Sequence, residues 1–149
     1  ILKQIEGGWI AQTEEPPIID WNSARTVTKK GVSQSEMDSM KFAIRVCEQV
    51  KSNAIVMVQG LSTVGIGPGQ TSRVEAVRIA ARRAGERAKG SVLASDAFFP
   101  FADGLEQAAE AGAAAIVQPG GSRLDEEVIA GADLLGISML FTGHRLFRH

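Results

Sequence analysis

Tyrosine is absent from this sequence, cysteine occurs once, histidine twice, and aromatic residues fill only 5% of its 149 positions. The single cysteine, Cys47, excludes an internal disulfide and suits a reducing, cytoplasmic setting. Both histidines, His144 and His149, fall in the last six residues. A zinc site takes three or four Cys, His or carboxylate ligands, and no such cluster is written here, so no zinc is expected. A Cys-His nucleophile pair would require Cys47 to meet the C-terminal tail, and a free cysteine is more often a buried structural residue. No apolar run approaches the length of a membrane span and no basic-plus-apolar leader is read at the start, so no membrane partner is expected. A net charge of −1 leaves no basic footprint for nucleic acid. The chain opens on Ile rather than Met, as a processed or internal N-terminus would.

What is present points to one compact domain. Hydrophobic residues make up 44% and charged residues 22%, and a chain of this length buries roughly 68–70% of its unfolded surface, enough for a core without staples. Residues 1–30 are the least regular and read as an entry arm or linker with strand pieces. Gly7 to Gln12 alternates weakly like a strand, and Glu14-Glu15-Pro16-Pro17 interrupts it. Residues 31–149 read as a single lobe.

Ser33-Gln34-Ser35-Glu36 forms a capping box, and Met37, Met40, Ala43, Ile44, Cys47 and Val50 then recur at helical spacing. Ala54 to Val58 is a continuous apolar run, the mark of a strand buried on both faces. Gly60 turns it into an antiparallel partner, Thr63 to Ile66. A second capping box, Ser72 to Glu75, opens a helix carrying Val74, Val77, Ala80, Ala81 and Ala84. Ser91 to Ala94 is a strand, Gly104 to Gly112 an Ala-rich helix, and Ala114 to Gln118 a strand ending at Pro119-Gly120-Gly121. Ser122 and Asp125 cap a helix running to about Leu135, and Ile137 to Phe141 is the last strand. The order helix, hairpin, helix, strand, helix, strand, helix, strand predicts an α/β sandwich whose mixed central sheet is parallel at its later strands. A cytidine-deaminase-like three-layer α/β/α sandwich has this order.

Ligands of open α/β sheets sit beyond the carboxyl ends of the strands, which here hold three unusual segments. Ser95 to Gly104 carries half of the six Phe residues, and an aromatic face there suits a flat ligand as well as a core. Pro119 to Arg123 places glycines before a helix, a device that receives anions. Thr142 to His149 is either a frayed basic tail or a strap folded back over the site. Two further segments bear on the same edge. Gly65 to Arg73 is a Gly-rich loop feeding a helix N-terminus, readable as a tight turn or an anion site. It lacks the Lys of a Walker A loop, and Arg73 stands where the helix dipole disfavours a cation. Asn53, in Lys51-Ser52-Asn53-Ala54, is either a turn residue or a carboxamide offering a donor and an acceptor to a heterocycle.

Together, Lys51 to Val56, Gly65 to Arg73, Ser95 to Asp103, Gln118 to Ser122 and Arg145 to His149 resemble the AICAR transformylase part of the bifunctional AICAR transformylase/IMP cyclohydrolase family, in the same order and at compatible spacing. The resemblance covers nearly the whole chain and is weakest over residues 11–30. It implies the second of two deaminase-like lobes, in a homodimer that transfers a formyl group from the co-substrate 10-formyltetrahydrofolate to AICAR, giving FAICAR in purine synthesis. It further implies that Asn53 and Arg145 contact AICAR, Arg145 at its phosphate. Arg73, Val74, Phe98, Asp103, Ser122 and Arg123 would lie along the folate. A potassium-type monovalent cation is implied near Ser52, Asp96 and Leu146. The family's base and oxyanion donor belong to a Lys-His motif in the first lobe that this sequence lacks, so no catalytic residue is expected here and the chain alone is expected to be inactive. Two other readings compete. A zinc deaminase on the same fold needs H-x-E and P-C-x-x-C, and neither occurs. A stand-alone, non-catalytic module binding a ribotide or folate needs neither motif.

Overall fold

The computed structural model describes residues 2–13 and 19–148; the Glu14 to Pro17 interruption and His149 lie outside the described residues. Eight strands and four helices run in the order β1 (Leu2–Ile5), β2 (Gly8–Ala11), β3 (Arg25–Thr26), α1 (Gln34–Cys47), β4 (Ile55–Gln59), β5 (Ser62–Gly67), α2 (Arg73–Ala84), β6 (Val92–Ser95), α3 (Asp103–Ala111), β7 (Ala115–Gln118), α4 (Asp125–Leu134) and β8 (Ser138–Phe141). A 3-10 turn, Gly85–Ala88, follows α2. No helix among the described residues is long and apolar enough to cross a membrane.

Six strands form one sheet in the order β3-β8-β7-β6-β4-β5. β6, β7 and β8 are parallel, whereas β4 runs antiparallel to both β5 and β6. The sheet is therefore mixed, with its parallel half late in the chain, as the order of elements predicts. β3 pairs antiparallel with β8, so residues 25–26 belong to this sheet. β1 and β2 form a separate antiparallel ribbon. Only the second of these strands is legible in the sequence, because Leu2 to Ile5 is exposed throughout and shows no burial alternation.

Strand pleating divides the core into two layers. Ile55, Met57, Leu93, Ile116 and Met139 face a layer with α2, α3 and α4, while Val56, Val58, Ala94, Val117 and Leu140 face α1. The result is one helix on one side of the sheet and three on the other, a cytidine-deaminase-like α/β/α sandwich. The box at α1 is complete, with Ser33 and Glu36 each accepting from the other's backbone N–H. At α2 only half forms: Ser72 accepts from the N–H of Glu75, and the Glu75 carboxylate instead pairs loosely with Arg78 at 3.8 Å. Ser122 and Asp125 do not cap α4. The Asp125 carboxylate reaches backwards, accepting from Gly121 N at 2.8 Å and Ser122 N at 3.1 Å.

Gly65 and Gly67 decide how α2 lies on the sheet. A Cβ built at Gly65 would sit 2.1 Å from the Ala80 carbonyl oxygen, and one at Gly67 would sit 2.0 Å from that of Ala76. The glycines, with Ala76 and Ala80, let the helix backbone rest directly on β5. This close packing, rather than an anion cradle, accounts for the first two glycines of the loop. Gly67→Ala should therefore lower unfolding stability by about 2–3 kcal/mol, since backbone on both sides must move. Gly31→Ala, with nothing within 4 Å, should change it by under about 0.5 kcal/mol. Denaturant titration of both variants measures the difference.

Candidate functional site

The carboxyl ends of β6 and β7 and the antiparallel start of β4 meet at one edge of the sheet, because Ile55 pairs with both Ser95 and Gly67. Asn53, one residue before Ala54, is clasped there. Its backbone N–H donates to Gln70 O and its carbonyl accepts from Gln70 N, both at 3.2 Å. Its side-chain Nδ2 donates to Gln70 O at 2.9 Å, and its Oδ1 accepts from Arg73 Nη2 at 3.0 Å. One amide hydrogen and one lone pair remain for a ligand.

Arg73 is almost fully buried, at 8% exposure, and does not reach out as a surface arginine would. Its Nη1 donates to Asp96 Oδ1 and to the Ala54 carbonyl, the latter at 3.3 Å. Asp96 is fully buried at the end of β6. Arg73 Nε and Asp96 Oδ2 are buried with no hydrogen-bond partner among the described residues. Arg73, expected along the folate, thus lines the cleft and at the same time holds Asn53. Cys47 packs beneath the same place, its thiol donating to Ala54 O at 3.8 Å. Burial, reinforced by the Asp96 charge, pushes that thiol far above the usual thiol range; it is no nucleophile.

Through Arg148 the tail is bonded back as a strap. Leu146 N donates to Asp96 O at 2.8 Å, Arg148 N to Ser52 Oγ at 2.9 Å, and Ser52 N to Arg148 O at 2.9 Å. Arg148 Nη1 donates to Gln49 Oε1 at 2.6 Å. These bonds bring Ser52, Asp96 and Leu146 together and deliver Arg145 to the site. The exposed Arg145 guanidinium lies 5.0 Å from the centre of the half-buried Phe98 ring. This is a cation–π contact.

Asn53, Arg73, Val74, Phe98, Asp103 and Arg145 all line one cleft of about 480 Å³. Thr71, Ser72, Pro100, Phe101 and Phe147 line it too. Sequence reasoning named none of these five as site residues, although each lies in or beside a segment it singled out. Of the Phe-rich loop, Phe99 is core, Phe98 faces the cleft, and Phe101 is 60% exposed. Ser122 and Arg123 are not part of the cleft. The glycine turn before them is filled from within by the Asp125 carboxylate, and Ser122 Oγ accepts from Leu124 N at 3.1 Å. His144, the only histidine among the described residues, lines a different cleft with Arg25, Gly120 and Phe141.

Comparison with known proteins gives a family and a fold. A family model described as AICARFT/IMPCHase bienzyme matches residues 1–83. The "Bifunctional purine biosynthesis protein PurH" of Chelativorans sp. (strain BNC1) is 55% identical over 156 residues, covering 99% of this chain and 29% of that protein. Its namesake from Bartonella henselae is 54% identical over 159 residues, covering 100% of this chain and 30% of that protein. The chain therefore spans under a third of the length of these relatives. Among solved structures, Acinetobacter baumannii RibD (form 2) superposes with a TM-score of 0.50 at 17% identity, covering 74% of this chain and 36% of that chain. That likeness concerns the fold.

The buried pair yields a prediction that separates support from ligand contact. Removing one partner of a buried ion pair costs about 3–5 kcal/mol, because the other charge is left uncompensated. Arg73→Ala and Asp96→Ala should each destabilise the chain by that order. Arg145→Ala should shift unfolding by under about 0.5 kcal/mol. Thermal and denaturant melts of the three variants check this ordering.

Proposed function

This chain belongs to the AICARFT/IMPCHase bienzyme family, and from that premise we propose that it supplies the ligand-binding lobe for formyl transfer from 10-formyltetrahydrofolate to AICAR in purine biosynthesis. The observation that carries the reading is the pairing of Phe98 and Arg145 at the mouth of the cleft. An aromatic face beside a guanidinium that has no ion pair among the described residues suits ligands combining a flat heterocycle with an anion. AICAR has both, and the folate supplies a second flat ring system. In this reading Arg145 takes the ribotide phosphate, and the free half of the Asn53 carboxamide meets the AICAR carboxamide. Arg73, Val74, Phe98 and Asp103 follow the folate. Ser122 and Arg123 stand outside the cleft lining, and the proposal rests on the other residues.

A potassium-type cation is proposed beside Asp96. The buried, unpartnered Oδ2 is a hard oxygen donor that an ion would satisfy, and Ser52 and Leu146 are tied to the same spot. With Arg73 already there, a singly charged ion adds the least repulsion.

General-base and oxyanion assistance each contribute orders of magnitude to acyl transfer. Among the described residues no histidine or lysine lines the cleft, so the proposed role is binding. The base and oxyanion donor come from the first lobe of the whole protein, which works as a cytoplasmic homodimer. The isolated chain should show no formyl transfer above background, and robust turnover would contradict this division. Arg145→Ala should weaken AICAR binding by roughly 10- to 150-fold, the loss of one charge-assisted contact, with far less change for folate. Arg145→Lys should not restore it, because an ammonium cannot present two parallel donors. Calorimetric titration of both ligands into the three proteins reads the outcome.

A further inference from the structure

Gln118 ends β7 in the middle of the sheet and is fully buried. Its side chain shares a face with Ile116, beside Met139, where an aliphatic residue would fill the same space. A buried carboxamide is costly unless its bonds are made. Among the described residues Nε2 finds only the weakly accepting Met139 sulfur, at 3.3 Å. The one strong bond is at the other end, where Oε1 accepts from Phe99 N at 3.0 Å.

That bond has a counterpart on the far side of Phe98. Ser95 Oγ donates to the Ala97 carbonyl at 2.7 Å. The Phe99 ring is wedged against Gly104, where a Cβ would meet ring carbons at 2.7 Å. The backbone is thus fixed immediately before and after Phe98. Of Ala97, Phe98 and Phe99, only Phe98 is not buried. An aromatic platform whose backbone is held on both sides loses little freedom when a ligand stacks on it.

We infer that Gln118, seconded by Ser95, is a positioning residue that presents the Phe98 ring to the flat ligand of the cleft. This rests on the reading that the cleft takes such a ligand. Gln118 itself touches no ligand. Its carboxamide oxygen holds Phe99 N–H, and so sets the ring one residue earlier.

The test uses the full chain, isotopically labelled, with Gln118→Met and Ser95→Ala. Gln118→Met keeps the volume but removes the acceptor; Ser95→Ala leaves β7 intact should the first variant fold poorly. In each, the Phe99 amide should exchange with solvent faster, and contacts between the Phe98 ring and the Arg145 guanidinium should weaken in the nuclear Overhauser spectrum. Folate affinity should fall by roughly 2- to 12-fold, as for the loss of one neutral hydrogen bond, and by more than AICAR affinity, which also draws on Asn53 and the Arg145 charge. A general structural defect would instead weaken both ligands together. If both variants keep parental Phe98–Arg145 contacts and folate affinity, the inference is overturned. Failure of the parent chain to bind folate would instead count against the functional reading, and the spectroscopic comparison would still decide the positioning of Phe98.

Discussion

Arg73 and Asp96 meet almost out of reach of water, one in the first turn of α2 and the other, fully buried, at the end of β6. A cation at a helix N-terminus is disfavoured by the helix dipole, and a carboxylate beside it is favoured, so Asp96 compensates both the arginine and the helix. The pair then organises everything around it. Arg73 holds the Asn53 carboxamide and the Ala54 carbonyl. The Asp96 backbone receives Leu146 and so anchors the strap that carries Arg145. Ligand-facing groups from three distant parts of the chain are therefore referred to one buried contact, which explains why a charge was placed in the core at all.

Much of the fold is legible in the sequence because its signals are local. The Ser33/Glu36 box, the apolar run through Val58 and the Ala-rich stretch before Gly112 each fix an element by themselves. The glycines of Gly65 to Gly69 are not legible in the same way, since a Gly-rich run looks alike whether it makes room for an anion or for a helix. At Gly65 and Gly67 it is the helix, whose Ala80 and Ala76 carbonyls they meet, whereas Gly69 turns the chain at a φ of +64°. The turn before α4 misleads for a related reason. Its N–H groups do bind a carboxylate, but that of Asp125, a few residues on. Among the site residues, Phe98, Asn53 and Arg145 stand out only when set beside a family pattern. No pattern in one sequence shows that Arg73 is buried, because arginine is ordinarily a surface residue.

The fold is shared with RibD at an identity too low to speak of anything else. What separates proteins on one scaffold is the set of side chains at the loops. In this chain those loops gather an aromatic face, a guanidinium and a half-used carboxamide, and they leave the one described histidine in another cleft. Under the proposed reading such a set recognises and orients, and the proton transfer is done elsewhere in a longer protein, which accords with the share of its relatives' length that this chain spans.

The two clefts make the central claim directly measurable. Backbone amide shifts of the labelled chain, followed during titration with AICAR, report where the ribotide sits. The account predicts the largest changes at Asn53, Arg73, Phe98 and Arg145, saturating together. Changes centred on Arg25, Gly120 and His144, with the first group unmoved, would contradict it.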